Sequence, residues 1–196
     1  RQRTIIVDPG LPPAALAARL HERAGIQVGE VSHVFLTAFK PDTFRGILAF
    51  EHAQWWIFET ERERVGVPLI QQLQRAAAEG DDELKKALES DVAILKRCEA
   101  APDRLSDRVD LFPLPGVTPG TCGVLVGGPA SGIGAGTALI CGDAIPTLEH
   151  LEKGSVLNEA ADIETAQESL KEAIEIADVL VLGRDNWVVN PIRRGY

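Results

Sequence analysis

The chain has 196 residues, 45% of them apolar, which suffices to bury one sizeable core and does not demand a second domain. Asp plus Glu outnumber Lys plus Arg by 29 to 20, a formal charge of −9, so the basic footprint needed for a nucleic-acid backbone or an anionic membrane surface is missing. Cys98, Cys122 and Cys141 are too few and too odd in number for a disulfide scaffold, no charged-then-apolar leader precedes Thr4, and no apolar run approaches the roughly 20 residues that span a bilayer, so a reducing, cytoplasmic setting is expected.

Thr4 to Val7 is a β-branched run closed by Asp8-Pro9-Gly10, which reads as a strand ending in a turn. Pro12 and Pro13 then suit the first turn of a helix, Leu16 and Leu20 share one face of it, and Gly25 stands where a C-terminal cap belongs. Val31 to Thr37 reads as a buried strand, Phe44 to Phe50 as a short helix, and Trp55 to Phe58 as another strand. Of the adjacent Trp55 and Trp56, alternation sends one to the core and the other towards the surface.

From Val67 to Ala101 the pattern changes to two helices split at Gly80, the second with Leu84, Leu88, Val92 and Leu95 on one stripe. Asp81–Lys85 and Asp82–Lys86 are spaced as i,i+4 pairs on its solvated side. This pair of helices is expected to be an insertion over about residues 67–101 within a single domain covering 1–196. Arg108 to Phe112, Thr121 to Val126 and Thr137 to Cys141 return to strand character. The glycine-rich GGPASGIGAG between the last two enters a strand rather than a helix, which argues for a hairpin loop and against a phosphate cradle. Asp162 can cap a helix whose stripe is Ile163, Ala166, Leu170, Ala173, Ile174 and Ala177, and Val179 to Leu182 closes the pattern as a buried strand. The expected core is Ile5, Val7, Val34, Leu36, Leu125, Leu139, Ile140, Leu170, Ile174, Val179 and Val181.

Candidate nucleophile and metal motifs are sparse. His21, His33, His52 and His150 show neither i,i+4 nor His-x-His spacing with one another, so each is expected in an ordinary surface or core role. Cys122 and Cys141 fall on two arms of one expected hairpin, where two buried reduced thiols are the reading. No G-x-S-x-G elbow and no P-loop occur.

Five short segments, each at an expected strand end, carry a resemblance: VDPG at 7–10, LTAFKPDTFRG at 36–46, PGVTPG at 115–120, CGD at 141–143 and LGRDN at 182–186. In this order they are similar to the motifs of the metallo-β-lactamase superfamily. The resemblance implies a four-layer αββα sandwich of α/β class, and, because such domains begin with further antiparallel strands, it implies N-terminal strands missing ahead of Val7. In that family a Thr-His-x-His-x-Asp-His loop, a histidine before Thr-Pro-Gly, the aspartate of Gly-Asp and a late Gly-His hold two zinc or iron ions that activate water for hydrolysis. On this chain the histidine positions fall on Ala38, Lys40, Thr43, Val117 and Arg184, and only Asp42 and Asp143 keep ligand-type side chains. Alanine and valine offer no donor, and lysine and arginine repel a cation, so no cofactor and no catalytic residue are expected at these positions. Lys40 or Arg184 is expected to approach Asp42 or Asp143 and supply the positive charge instead.

The resulting expectation is a pseudoenzyme that binds a small molecule or a protein partner, with no nucleic-acid or membrane partner and with a homo-oligomer left open. Two alternatives stand beside it: a hydrolase of ester, thioester or lactam type using an unorthodox site at Asp42 and Asp143, and a structural subunit completed by another chain.

Overall fold

The structure, a computed structural model, describes residues 3–128 and 136–192. It separates into two compact units, residues 1–101 and 102–196. Most of the GGPASGIGAG loop lies outside the described residues.

The first unit is built on a parallel sheet of order β1-β2-β3-β4, with β1 Ile5–Val7, β2 His33–Leu36, β3 Gln54–Ile57 and β4 Glu99–Ala100. Helix α1, Pro13–Ala24, opens on proline and closes on Gly25 in the left-handed conformation (φ 66°), as its sequence predicts. The stretch expected as one short helix is two pieces, α2 at Pro41–Phe44 and a 3-10 turn at Ile47–Phe50. Helix α3 runs Glu59–Glu79 and α4 runs Asp82–Arg97, joined through a left-handed Gly80. The helical segment therefore starts at Glu59, ahead of the expected boundary at 67, because Pro68 is accommodated inside α3. On α4 the carboxylate of Asp81 accepts the N–H of Leu84 as an N-cap, and Lys85 reaches Glu89 at 3.9 Å; capping wins over the expected i,i+4 pairing with Asp81.

The core of this unit gathers Val34, Leu36, Ile47, Phe50, Trp55 and Ile57 with Leu69, Ala76, Leu88 and Leu95 from the helices. Both tryptophans are buried, which corrects the expectation that one faces solvent. A strand inside a parallel sheet is covered on both faces. Trp55 donates its indole N–H to the carbonyl of Phe50 at 2.9 Å, and Trp56 lies against the His33 ring with centroids 4.1 Å apart.

The second unit has a sheet of order β10-β9-β8-β7-β6-β5, with β5 Arg104–Ser106, β6 Val109–Pro113, β7 Cys122–Gly127, β8 Thr137–Gly142, β9 Val179–Leu182 and β10 Trp187–Val189. Only β8–β9 is parallel; the other pairings are antiparallel, including β7–β8, where Val124 stands opposite Ile140. Helix α5 is Leu148–Lys153 and α6 is Ile163–Ile176, the latter capped by the Asp162 carboxylate accepting from the N–H of Thr165 at 3.0 Å. Its buried stripe is Ala166, Ser169, Leu170 and Ala173, while Ile163 at the first turn is exposed. Ser169 is tolerated there because its hydroxyl donates to the Pro115 carbonyl at 2.6 Å.

Within the expected core, Val34, Leu36, Leu139, Leu170 and Val179 are buried, while Ile5, Val7, Leu125, Ile140, Ile174 and Val181 are half-buried. Leu139→Ala should therefore cost about 2–5 kcal/mol, and the neighbouring Ile140→Ala distinctly less, when denaturant midpoints are compared; equal losses would contradict the assigned strand faces. Cys98, Cys122 and Cys141 are free and buried, and desolvation pushes each thiol up to about 12. Alkylation at pH 8 should leave the folded protein unlabelled and modify all three only after unfolding. Rapid labelling of Cys141 in the native state is the contrary result.

Candidate functional site

The positions at which the resemblance would place metal ligands fall in both units, and each unit forms its own cluster. In the first unit they lie in the loop that leaves β2. Two carboxylates shape this loop from outside it. Asp8, in the left-handed region at φ 48°, which aspartate tolerates better than most residues, accepts the Thr37 N–H at 2.8 Å and the Thr37 hydroxyl at 2.6 Å. Glu61, fully buried in the first turn of α3, accepts the Phe39 N–H at 2.8 Å. From inside, the Thr43 hydroxyl lies 2.8 Å from the carbonyls of both Ala38 and Lys40, so its one hydrogen serves one or the other.

These contacts place the expected residues. Ala38 is fully buried and contributes its carbonyl to Thr43; Thr43 is buried and spent on backbone capping. Lys40 is half-buried at the cap of α2, and Asp42 is exposed in the first turn of that helix. Gly10 is required here, because a Cβ would run into the carbonyl of Asp42. The structure thus brings Ala38, Lys40 and Thr43 together through the backbone.

In the second unit, Val117 sits in the loop after β6. That loop is fastened to α6: the N–H groups of Ala161 and Asp162 donate to the carbonyls of Val117 and Gly116 at 3.1 and 3.0 Å, and Gly116, at φ 127°, packs so closely on Ala166 that no side chain fits. The Val117 side chain belongs to the core cluster with Leu114, Leu139 and Cys141.

Asp143 and Arg184 meet directly. Asp143 follows β8 and is 6% exposed; Arg184 follows β9, and its Nε and one terminal nitrogen each donate to a different Asp143 oxygen at 2.8 Å. The backbone enforces this approach. Gly183 lies so near the Gly142 carbonyl that a Cβ would clash, its N–H donates to Ile145, and the Arg184 N–H donates to Pro146. Both Asp143 oxygens are thus engaged by a planar, permanently charged fork, the strongest side-chain geometry for a carboxylate.

Comparison with solved structures decides the fold. A dizinc quorum-quenching lactonase, AidC, in complex with the product N-hexanoyl-L-homoserine, superposes with a TM-score of 0.70 at 16% identity, covering 96% of this chain and 76% of that one. A Thermotoga maritima protein assigned to the metallo-β-lactamases gives 0.67 at 18% identity, covering 96% and 84%. A variant of the B. thuringiensis protein AiiA with N-decanoyl-L-homoserine bound at its active site gives 0.61 at 21%, covering 92% and 76%. The chain has the metallo-β-lactamase fold. No family model matches the sequence, and no curated protein matches it.

The fold family implies a pair of metal ions, and the side chains present do not fit them. Zinc takes about three or four N, O or S donors converging at roughly 2.0–2.3 Å. Ala38 and Val117 have no donor atom, Thr43 is committed to the loop backbone, Lys40 and Arg184 carry positive charge, and Asp143 is held by a guanidinium. Among the described residues no group of three or more His, Cys, Asp or Glu side chains could share an ion. The four histidines have local partners or packing roles: His21 with Gln27, His52 with the Val31 carbonyl, His150 with Thr147, and His33 against Trp56. Burial, followed by the charge of Arg3, lowers the pKa of His33 below its ordinary value.

Asp8 as the partner of Thr37 and Glu61 as the partner of Phe39 were not identified from sequence. VDPG marks a strand end but not what its aspartate holds, and Glu61 sits in the charged run ETERER, which resembles a solvated face.

Removing the guanidinium by Arg184→Ala should destabilise the second unit by about 1–3 kcal/mol, at the lower side of a buried pair because the arginine side chain is 41% exposed and partly screened. In a double-mutant cycle with Asp143→Asn, the combined loss should fall short of the sum of the single losses by about 1 kcal/mol or more. Strict additivity would show that the two groups do not act on each other.

Proposed function

We propose that this chain is a metallo-β-lactamase-fold domain in which protein-internal interactions replace the dinuclear metal site, and that it works without hydrolysis as a binding or regulatory protein. One observation carries the reading: Arg184 occupies both oxygens of Asp143, a position from which a carboxylate would otherwise ligate. For Asp143 to bind an ion, it would have to share oxygens that already accept two charge-assisted hydrogen bonds and admit a second cation beside the first. The buried alkyl groups at Ala38 and Val117 support the same reading, since neither supplies a donor.

Metal activation of water is how such sites reach a nucleophile at neutral pH, and none of the five substituted positions contributes an imidazole to it. The lactonases among the structural neighbours supply the natural substrates for a test. Protein purified without chelator should carry far less than one zinc or iron per chain, and N-acyl homoserine lactones, esters and thioesters should be hydrolysed no faster than in buffer. Near-stoichiometric metal, or lactone hydrolysis that copurifies with the protein and is abolished by Asp42→Ala, overturns the proposal in favour of a hydrolase with an unorthodox site. A small-molecule or protein ligand, rather than nucleic acid or membrane, suits the charge of −9. No helix among the described residues is long and apolar enough to cross a membrane.

A further inference from the structure

Helices α3 and α4 together line a groove of about 500 Å³, within the roughly 300–1,000 Å³ typical of small-molecule sites. Its walls are Val67, Leu69, Ile70, Val92 and Leu95, of which Val67 is 63% and Ile70 40% exposed. Its floor is Gly66. A Cβ at Gly66 would meet only one atom of Leu95, at 3.9 Å, so packing does not demand glycine there; the missing side chain leaves the groove open. Helix stability argues against this choice too, because Gly66 and Pro68 are the two residue types least suited to a helix interior, set two apart in one helix.

The rim is polarised. Arg62 on the first turns of α3 and Lys96 on the last turn of α4 lie towards the same end of this antiparallel pair, with Glu63 and Gln71 completing the polar border. Among the described residues, no ion pair engages Arg62, Lys96 or Glu63. The exposed apolar wall thus ends at two cations against one anion, in a chain whose overall charge is negative.

We propose that this groove binds a single-chain anionic amphiphile, an aliphatic carboxylate of medium length, with its chain along Val67, Ile70 and Val92 and its headgroup at Arg62 and Lys96. A second copy of the chain fits less well. A two-fold axis running along the groove would crowd Arg62 and Lys96 against their own counterparts, a like-charge cost that a carboxylate headgroup converts into attraction. The inference concerns the helical pair and does not depend on the fate of the metal positions.

The test is a titration of the full chain with octanoate, decanoate and dodecanoate below their aggregation concentrations, with decanol and decyltrimethylammonium as neutral and cationic probes of matched length. One saturable site per chain is expected, tightening about two- to fourfold per added methylene, the range from partial to full burial of the chain. Gly66→Leu fills the groove and favours helix, so it should weaken decanoate at least tenfold without lowering the melting temperature. Arg62→Ala with Lys96→Ala should weaken decanoate about tenfold and leave decanol within about twofold, since a neutral headgroup gains little from the cations. The proposal is overturned by an absence of saturable binding, by decyltrimethylammonium binding as tightly as decanoate, or by Gly66→Leu having no effect. It is equally overturned if sedimentation shows a dimer that Val67→Asp converts to monomer, because the occupant is then a second copy.

Discussion

The second unit depends on resolving one electrostatic problem, a carboxylate at the end of β8 that is 6% exposed. An ion in that position needs either a partner or protonation, since desolvation of a bare carboxylate costs several kcal/mol. The chain answers with Arg184, delivered by a glycine that lets β9 run against the turn after β8 and by backbone hydrogen bonds from residues 183 and 184 to 145 and 146. The positive charge is covalently part of the fold, so its local concentration is fixed and independent of any ion in solution. A metal ion would have to compete with a partner that never dissociates from the chain.

The first unit meets a different constraint in a comparable way. The loop after β2 keeps a sharp path from strand to helix, and that path is set by Asp8 on Thr37, Glu61 on Phe39 and Thr43 on the carbonyls of Ala38 and Lys40. Asp8 and Glu61 lie outside the positions where the resemblance would place metal ligands, and Thr43 alone stands at such a position and also braces the loop. The scaffold of the loop and the chemistry it can present are therefore separable. Substitution at 40, which is half-buried, changes what the loop offers to a ligand without removing what holds its shape.

Sequence reasoning read the elements whose signals are local. Gly25 and Gly80 end helices in the left-handed conformation, Asp162 caps α6, and the strand positions follow their β-branched runs. An approach of Lys40 or Arg184 to Asp42 or Asp143 was legible only through the family resemblance, and the structure shows Arg184 on Asp143. What was illegible depends on partners far along the chain. Thr37 and Asp8 are separated by |i−j| of 29, and nothing in ETERER distinguishes the buried Glu61 from its solvated neighbours. The short edge strands β4, β5 and β10 are two or three residues each, below the length at which alternation can be seen. Pro68 misleads in the opposite direction, since a proline usually marks a helix boundary and here lies inside α3.

The residues at the positions where the resemblance would place histidines divide by environment. Where the position faces the interior, as at Ala38 and Val117, the residue is small and apolar and adds to the core, 0% and 5% exposed. An imidazole placed at Val117 would bring a polar ring into the core cluster that includes Leu114, Leu139 and Cys141, a cost that only a ligated ion or a hydrogen-bond partner could offset. Where the position reaches solvent, as at Lys40 and Arg184, the residue is a long cation whose stem can lie along the surface while its charge stays near water. Introducing single metal ligands would then meet opposition from packing on one side and from fixed charge on the other. Both kinds of position are held by contacts within the chain, so a metal-binding set built on this scaffold would require coordinated change at several of them.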